Sequence, residues 1–405
     1  MYPPMNFTLT PNDTSNIFAV FIEKYPISSW KKYGFFDENY IKSINVHWLQ
    51  FLPPNQINHY ALAVLYVIIM IIGLVGNILV IAIFIRSRSL RTPANSLVMN
   101  LAISDALMMS KMPVFIFNSI ESGPALGRLG CQIYGFLGGL SGTASICTLA
   151  AISLNRYYVI KFPLNMRFTG ARSKICIALA WIYSVTFSSI PLLDTELGSY
   201  VPEGYLTSCS FDYLSEMAGV KLFILIFFTA AWLMPFTIIT FCYIHIWIVV
   251  LETRNVGKSG NESSRNIKLE EKRRQDLKLA GTIFIIIILW FVAWTPYAVV
   301  ALLGISNHAD LITPLASMIP ALFCKTASCI DPFVYALSNP KFKNEVKRCF
   351  FKGSIHNYQS SKVWSTRGST ERRRTLKDEV KDEVKSVESI SEEVQEEIIL
   401  VSIKS

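Results

Sequence analysis

The chain has 405 residues, of which 52% are hydrophobic and only 17% charged, against roughly 25% charged in soluble domains. Mean hydropathy is +0.38. These proportions exclude a disordered chain, a coiled coil and a secreted disulfide scaffold, and point to a membrane protein. The net charge of +9 reads as charge at a membrane face and not as nucleic-acid contact, because of where it falls along the chain.

Residues 1–60 read as an N-terminal segment on the outer side. No signal peptide is legible in residues 1–30, where the longest apolar run is Phe18–Ile22, so the first span is expected to do the targeting. Asn6-Phe-Thr and Asn12-Asp-Thr are glycosylation acceptors there. Apolar runs long enough to cross a bilayer as helices follow at 61–85, 95–119, 129–155, 175–193, 222–251, 279–309 and 313–337. The runs at 129–155, 175–193, 222–251 and 279–309 carry no Asp, Glu, Lys or Arg. Asp105 and Lys111 break the second run, and Lys325 and Asp331 the seventh. The expected fold is therefore an all-α membrane protein, a seven-transmembrane helix bundle over 61–337.

Short cytoplasmic loops are rich in Lys and Arg. Segments 86–94, 156–174 and 252–278 hold sixteen such residues, whereas the opposite segments 120–130, 194–220 and 304–312 hold only Arg128. The N-terminus is thus expected outside and the C-terminus in the cytoplasm, in a multi-pass protein of the plasma membrane. Residues 338–352 alternate Phe342, Val346, Phe350 and Phe351 with basic residues, as in a short amphipathic eighth helix lying on the inner leaflet lipid. Cys349 is a candidate palmitoylation site. From 353 to 405 the tail is polar and Ser-rich, with a tandem Lys-Asp-Glu-Val at 377 and 381, and reads as disordered. Eight cysteines occur without a CxxC pair, so no metal site is expected.

Four ionisable residues lie deep in spans: Asp105, Lys111, Lys325 and Asp331. Each costs at least roughly 2.5–3.5 kcal/mol on an insertion scale, and the default reading of such a residue is functional. Lys325 lies about 13 residues into its span, roughly 20 Å at 1.5 Å per residue, too far to reach an interface. Its amine must be paired, neutral or covalently modified, and a desolvated lysine is a nucleophile toward carbonyls. A Schiff base to an aldehyde ligand would resolve the burial. For Lys111, snorkelling to the interface or pairing with Glu121 stands beside the reading in which it faces the cavity of Lys325. Asn77, Asp105 and Asp331 are expected to form a buried polar network. Gly138 and Gly142 are spaced for close helix approach, a packing role.

The ordered set Gly76-Asn77, Leu101-Ala-Ile-Ser-Asp105, Cys131, Asn155-Arg-Tyr157, Trp181, Pro235, Trp294-Thr-Pro-Tyr297 and Asp331-Pro-Phe-Val-Tyr335 resembles the rhodopsin-like G-protein-coupled receptors. The resemblance covers about residues 55–352. Within that superfamily Lys325, in Phe323-Cys-Lys-Thr-Ala-Ser328, resembles the retinal-binding lysine of opsins. His47-Trp-Leu, Leu90-Arg-Thr-Pro-Ala-Asn95 and Pro202–Cys209 are similar to arthropod rhabdomeric-type opsins. Lys111 matches a lysine of insect ultraviolet-sensitive ones, and the likeness is strongest to the non-ocular, short-wavelength insect type. Three departures are visible: Asn155 stands where the family has an acid, Asp331 where it has Asn, and Asn339-Pro-Lys where visual opsins of arthropods have His-Pro-Lys.

The resemblance implies a light-sensing receptor carrying 11-cis retinal, or a hydroxylated retinal, as an imine on Lys325. It implies no enzyme and no catalytic residues. The counterion falls on Glu203, with Asp212 the weaker candidate, because Tyr134 occupies the position where vertebrate visual opsins place an acid. Trp294 and Tyr297 are expected to line the pocket, and Cys131 and Cys209 to be bridged. Arg156 and Tyr335 are expected to serve coupling to a heterotrimeric G protein of Gq type, with a weakened latch on Arg156 because Asn155 is uncharged. Arrestin and a receptor kinase are expected at Ser360, Ser361, Ser365, Thr366, Ser369, Thr370 and Thr375 of the tail. Lys111 beside Lys325 would disfavour a proton on the imine and give an ultraviolet or violet pigment. A retinal photoisomerase without signalling and a receptor for a diffusible ligand are the competing readings. Gly138 stands where amine receptors have their Asp.

Overall fold

In the computed structural model, the described residues are 21–162, 169–256, 264–338 and 342–348. Asn6, Asn12, Cys349 and the tail residues named above lie outside them. Among the described residues six helices are long and apolar enough to cross a membrane: Gln56–Arg86, Pro93–Ile120, Gly127–Lys161, Gly170–Leu193, Ala218–Leu251 and Asp276–Ile305. A seventh helix, Pro314–Ser338, packs along the sixth, first and second. It carries Lys325 and Asp331, whose charges lower its hydropathy, and both are buried. These helices are numbered spans 1 to 7 below.

Local sequence explains where the spans bend. Span 2 is interrupted at Lys111, which caps Pro93–Ser110, and resumes at Met112–Ile120. Pro113 has no N–H to continue the helical ladder and its ring crowds the preceding turn. The Val114 N–H bonds Lys111 O at 3.2 Å and tightens the turn. Span 5 widens into a π turn at Thr229–Leu233, just ahead of Pro235. Span 6 runs as part of a long helix, Ser264–Ile305, with Pro296 inside it.

Buried polar groups tie the spans together. Trp181 Nε1 of span 4 donates to Asn100 Oδ1 of span 2 at 2.8 Å, and Asn100 Nδ2 donates to Thr148 Oγ1 of span 3 at 2.8 Å. Asn77 Nδ2 of span 1 donates to Ser328 O of span 7 at 2.9 Å. Where hydrocarbon leaves few other partners, such bonds fix which helix faces meet.

Between spans 4 and 5 the chain forms a hairpin, β1 Tyr200–Glu203 paired antiparallel with β2 Ser208–Phe211, with Pro202 opposite Cys209. Its turn needs Gly204, which holds φ +59° and lies so close to Met318 and Ser317 of span 7 that a Cβ would collide. Cys209 is disulfide-bonded to Cys131 near the start of span 3, with Cα atoms 5.2 Å apart. The hairpin is thereby held down over the bundle. Cys209→Ser is expected to lower stability by roughly 2–5 kcal/mol, because a long loop regains its freedom in the unfolded chain. Thermal unfolding in detergent micelles measures it.

Residues 21–55 form a cap at the same end. Phe21, Tyr25, Trp30, Phe36, Tyr40 and Trp48 are all buried in one cluster. Trp30 Nε1 donates to Glu121 O at 2.8 Å, and the Ser29 and Tyr33 hydroxyls donate to the Glu121 carboxylate. These two bonds hold the Glu121 carboxyl below its usual range. Asn45 Nδ2 bonds Asp212 at 3.3 Å and His47 Nε2 meets Ile312 O at 2.7 Å, so the cap grips the hairpin loop and the start of span 7.

Candidate functional site

A cavity of about 1090 Å³ of empty space, counting the part that opens to the bundle surface, lies beneath the hairpin. Spans 2, 3, 5, 6 and 7 and both strands line it. Its walls are mostly apolar and aromatic, including Phe211, Phe227, Phe228, Trp232, Trp290 and Trp294. Among the described lining residues only Lys111, Glu203 and Lys325 are ionisable side chains of full charge. They are 6%, 3% and 5% exposed.

Lys325 is placed here because span 7 turns its buried face inward at Ala321, Cys324 and Ser328. Its Nζ donates to Ala321 O, one turn back, and lies 5.7 Å from the Tyr66 ring and 5.8 Å from the Tyr134 ring. Lys111 reaches the same Tyr134 ring from span 2, its Nζ at 4.3 Å. It neither snorkels nor pairs with Glu121, whose carboxylate is occupied by the cap. The break at Pro113 turns it inward, and Gly138 makes room: a Cβ there would collide with Lys111 Nζ. Gly142 likewise receives the Trp294 ring, at 2.5 Å from where its Cβ would stand. These glycines have a packing role, as receivers of side chains from spans 2 and 6.

Glu203 hangs from the end of β1. It accepts hydrogen bonds from Tyr213 Oη at 3.1 Å and Tyr297 Oη at 3.0 Å, and Tyr297 also bonds Ser210 Oγ. Burial raises its carboxyl above the usual range, opposed by the charge of Lys325 and by the two hydroxyls. No ion pair within 4.0 Å joins it to either lysine among the described residues. Asp212 instead bonds Asn45 of the cap. Trp294 stacks on Trp290, centroids 5.3 Å apart. The indole N–H of each has no hydrogen-bond partner among the described residues.

Deeper in the bundle, Asn77, Asp105 and Asp331 line one small cavity, with the Asn77 amide turned to Gly73 O and Ser328 O. Ser145 Oγ donates to Asp105 Oδ1 at 3.0 Å, and the Asp105 and Asp331 carboxyls lie within hydrogen-bonding reach of each other. At the end away from the hairpin, Arg156 Nη1 lies 3.9 Å from Asp276 Oδ1 of span 6. The sequence reading missed Asp276, whose only local signal is one acid after the basic run Lys272-Arg-Arg274. The Asn155 side-chain oxygen is unpartnered and does not hold Arg156. Tyr335 donates to Asn95 Oδ1 at 3.3 Å and packs on Phe84 and Phe342. Tyr213, the second donor to Glu203, was also missed.

The seven-transmembrane receptor (rhodopsin family) profile matches residues 76–335. The chain is 38% identical to the ultraviolet-sensitive opsin of Apis mellifera, over 75% of this chain and 82% of the relative. It is 40% identical to Opsin Rh4 of Drosophila melanogaster, over 82% and 88%. The structure is similar to that of squid rhodopsin, with a TM-score of 0.71, 32% identity, and coverage of 76% of this chain and 89% of that one.

Proposed function

Because the chain belongs to the rhodopsin family of seven-transmembrane receptors, among the opsins, we propose that it is a light-sensing receptor holding retinal covalently through Lys325 and activating a heterotrimeric G protein, of Gq type. The supporting observation is a buried lysine amine in an aromatic-lined cavity, hydrogen-bonded among the described residues only to its own helix. That donor set fits an apolar aldehyde: a nucleophile where the aldehyde carbon would lie, and apolar walls for the rest. Retinal, when bound there, supplies light absorption and a change of shape.

The chain's own residues supply the rest. The hairpin and cap exclude water from Lys325. Glu203, fixed by Tyr213 and Tyr297, is the nearest carboxylate to balance a positive charge at Lys325 Nζ, and acts across a gap. Trp294 and Trp290, stacked in span 6 beside Pro296, report a change in cavity shape to the far end of that span. There Asp276 holds Arg156 inward, so span 6 is the element whose swing exposes the coupling face. The basic segments at that end face the cytoplasm in this reading, and the N-terminal cap faces outside.

Purified protein reconstituted with 11-cis retinal and illuminated is expected to catalyse nucleotide exchange on a Gq-type α subunit. Pigment that bleaches without stimulating exchange on any G protein would leave a photoisomerase. Asp276→Asn should raise exchange in the dark by roughly two- to fivefold, as a partly exposed pair worth ~0.5–1 kcal/mol allows.

A further inference from the structure

The cavity carries more positive than negative formal charge. Two lysines and one glutamate line it, and the one carboxylate is turned to two tyrosine hydroxyls. Lys111 Nζ has no hydrogen-bond acceptor or ion-pair partner among the described residues, only the Tyr134 ring face. An ammonium so buried is costly unless paired and hydrogen-bonded. The Tyr134 ring lies within reach of both amines, 4.3 and 5.8 Å from its centroid, and its hydroxyl is a further group that an anion can meet. On spans 5 and 6 the lining is apolar and largely aromatic, with Phe227, Phe228, Ala231, Trp232 and Trp290.

We propose that, in the form free of aldehyde, this cavity binds an apolar carboxylate noncovalently, a polyunsaturated or retinoid acid. Its head seats against Lys111, the Lys325 amine and the Tyr134 hydroxyl, and its chain lies along the aromatic end. The head supplies the missing negative charge and an acceptor for the Lys111 amine, which has none among the described residues. The tail occupies the volume that a small inorganic anion would leave empty, and favours the amphiphile over chloride. No bond is made or broken, so the proposal rests on the cavity of the preceding section and not on covalent attachment at Lys325.

The test uses the full chain purified without retinal. Quenching of tryptophan fluorescence reports occupancy, since Trp232, Trp290 and Trp294 line the cavity. Retinoic acid is expected to bind at least about tenfold tighter than methyl retinoate, whose shape is the same and whose charge is gone, a difference of about 1.4 kcal/mol. Excess retinoic acid should slow capture of 11-cis retinal. In Lys111→Gln the preference for acid over ester should fall several-fold, with the melting temperature showing that the variant is folded. Equal binding of acid and ester by wild type overturns the proposal. So does chloride that both displaces retinoic acid and itself stabilises the wild type. Failure to form pigment with 11-cis retinal, alongside a retained preference for the acid, would instead refute covalent attachment and leave this inference standing.

Discussion

Lys325→Ala is expected to abolish the covalent retinal adduct that survives borohydride reduction and denaturation. The loss should be complete, because among the described lining residues the one other amine, Lys111, faces the Tyr134 ring from span 2. The substitution should not unfold the chain. It removes a buried amine that costs at least roughly 2.5–3.5 kcal/mol in a span, and the vacated space adjoins an existing cavity. Monodisperse, folded Lys325→Ala protein without adduct is therefore the expected pair of results. A persisting adduct would move the assignment to Lys111, the other amine on the Tyr134 ring. Mass mapping of the reduced adduct distinguishes the two.

The span boundaries were legible because a bilayer demands continuous apolar helix, and charge asymmetry between loops follows the same logic. The seventh span was legible although its hydropathy is low, because Lys325 and Asp331 read as inward-facing exceptions in an otherwise apolar run. Lys325, Glu203, Trp294 and Tyr297 all line the cavity, as the resemblance implied. What stayed hidden depends on packing between distant segments. Asp276 carries no sign that it faces Arg156, 120 residues earlier. The cap reads as unremarkable loop until Trp30 and Ser29 are seen bonding Glu121, some 90 residues on. The glycines of span 3 look like helix contacts. Only the three-dimensional arrangement shows Lys111 and Trp294 filling the space they leave.

Lys111→Glu should move the absorption of the retinal-loaded protein from the near ultraviolet into the visible. With retinal attached, a proton at Lys325 Nζ allows charge to delocalise along the polyene and lowers the excitation energy. Without that proton the absorption stays short. The two amines lie 4.3 and 5.8 Å from one ring centroid, so they are at most about 10 Å apart. Two unit charges at about 10 Å and an effective dielectric of about 20 repel by roughly 1.7 kcal/mol, more than tenfold in a protonation equilibrium. Glu203, the only carboxylate among the described lining residues, is fixed by two tyrosine hydroxyls and makes no ion pair within 4.0 Å with Lys325, so it acts only across a gap. The charge on Lys111 is thus offset only across a gap, and the wild-type imine is expected to lack its proton. Lys111→Ala removes the repulsion and should shift absorption in the same direction. Lys111→Glu reverses its sign and, facing Tyr134 across the Gly138 gap, should shift it further. Lys111→Arg keeps the charge and should leave the pigment in the ultraviolet, provided the larger head fits. A wild-type maximum in the green would defeat the argument outright. Absence of a shift in both Lys111→Ala and Lys111→Glu would show that the charge on Lys111 does not reach the linkage.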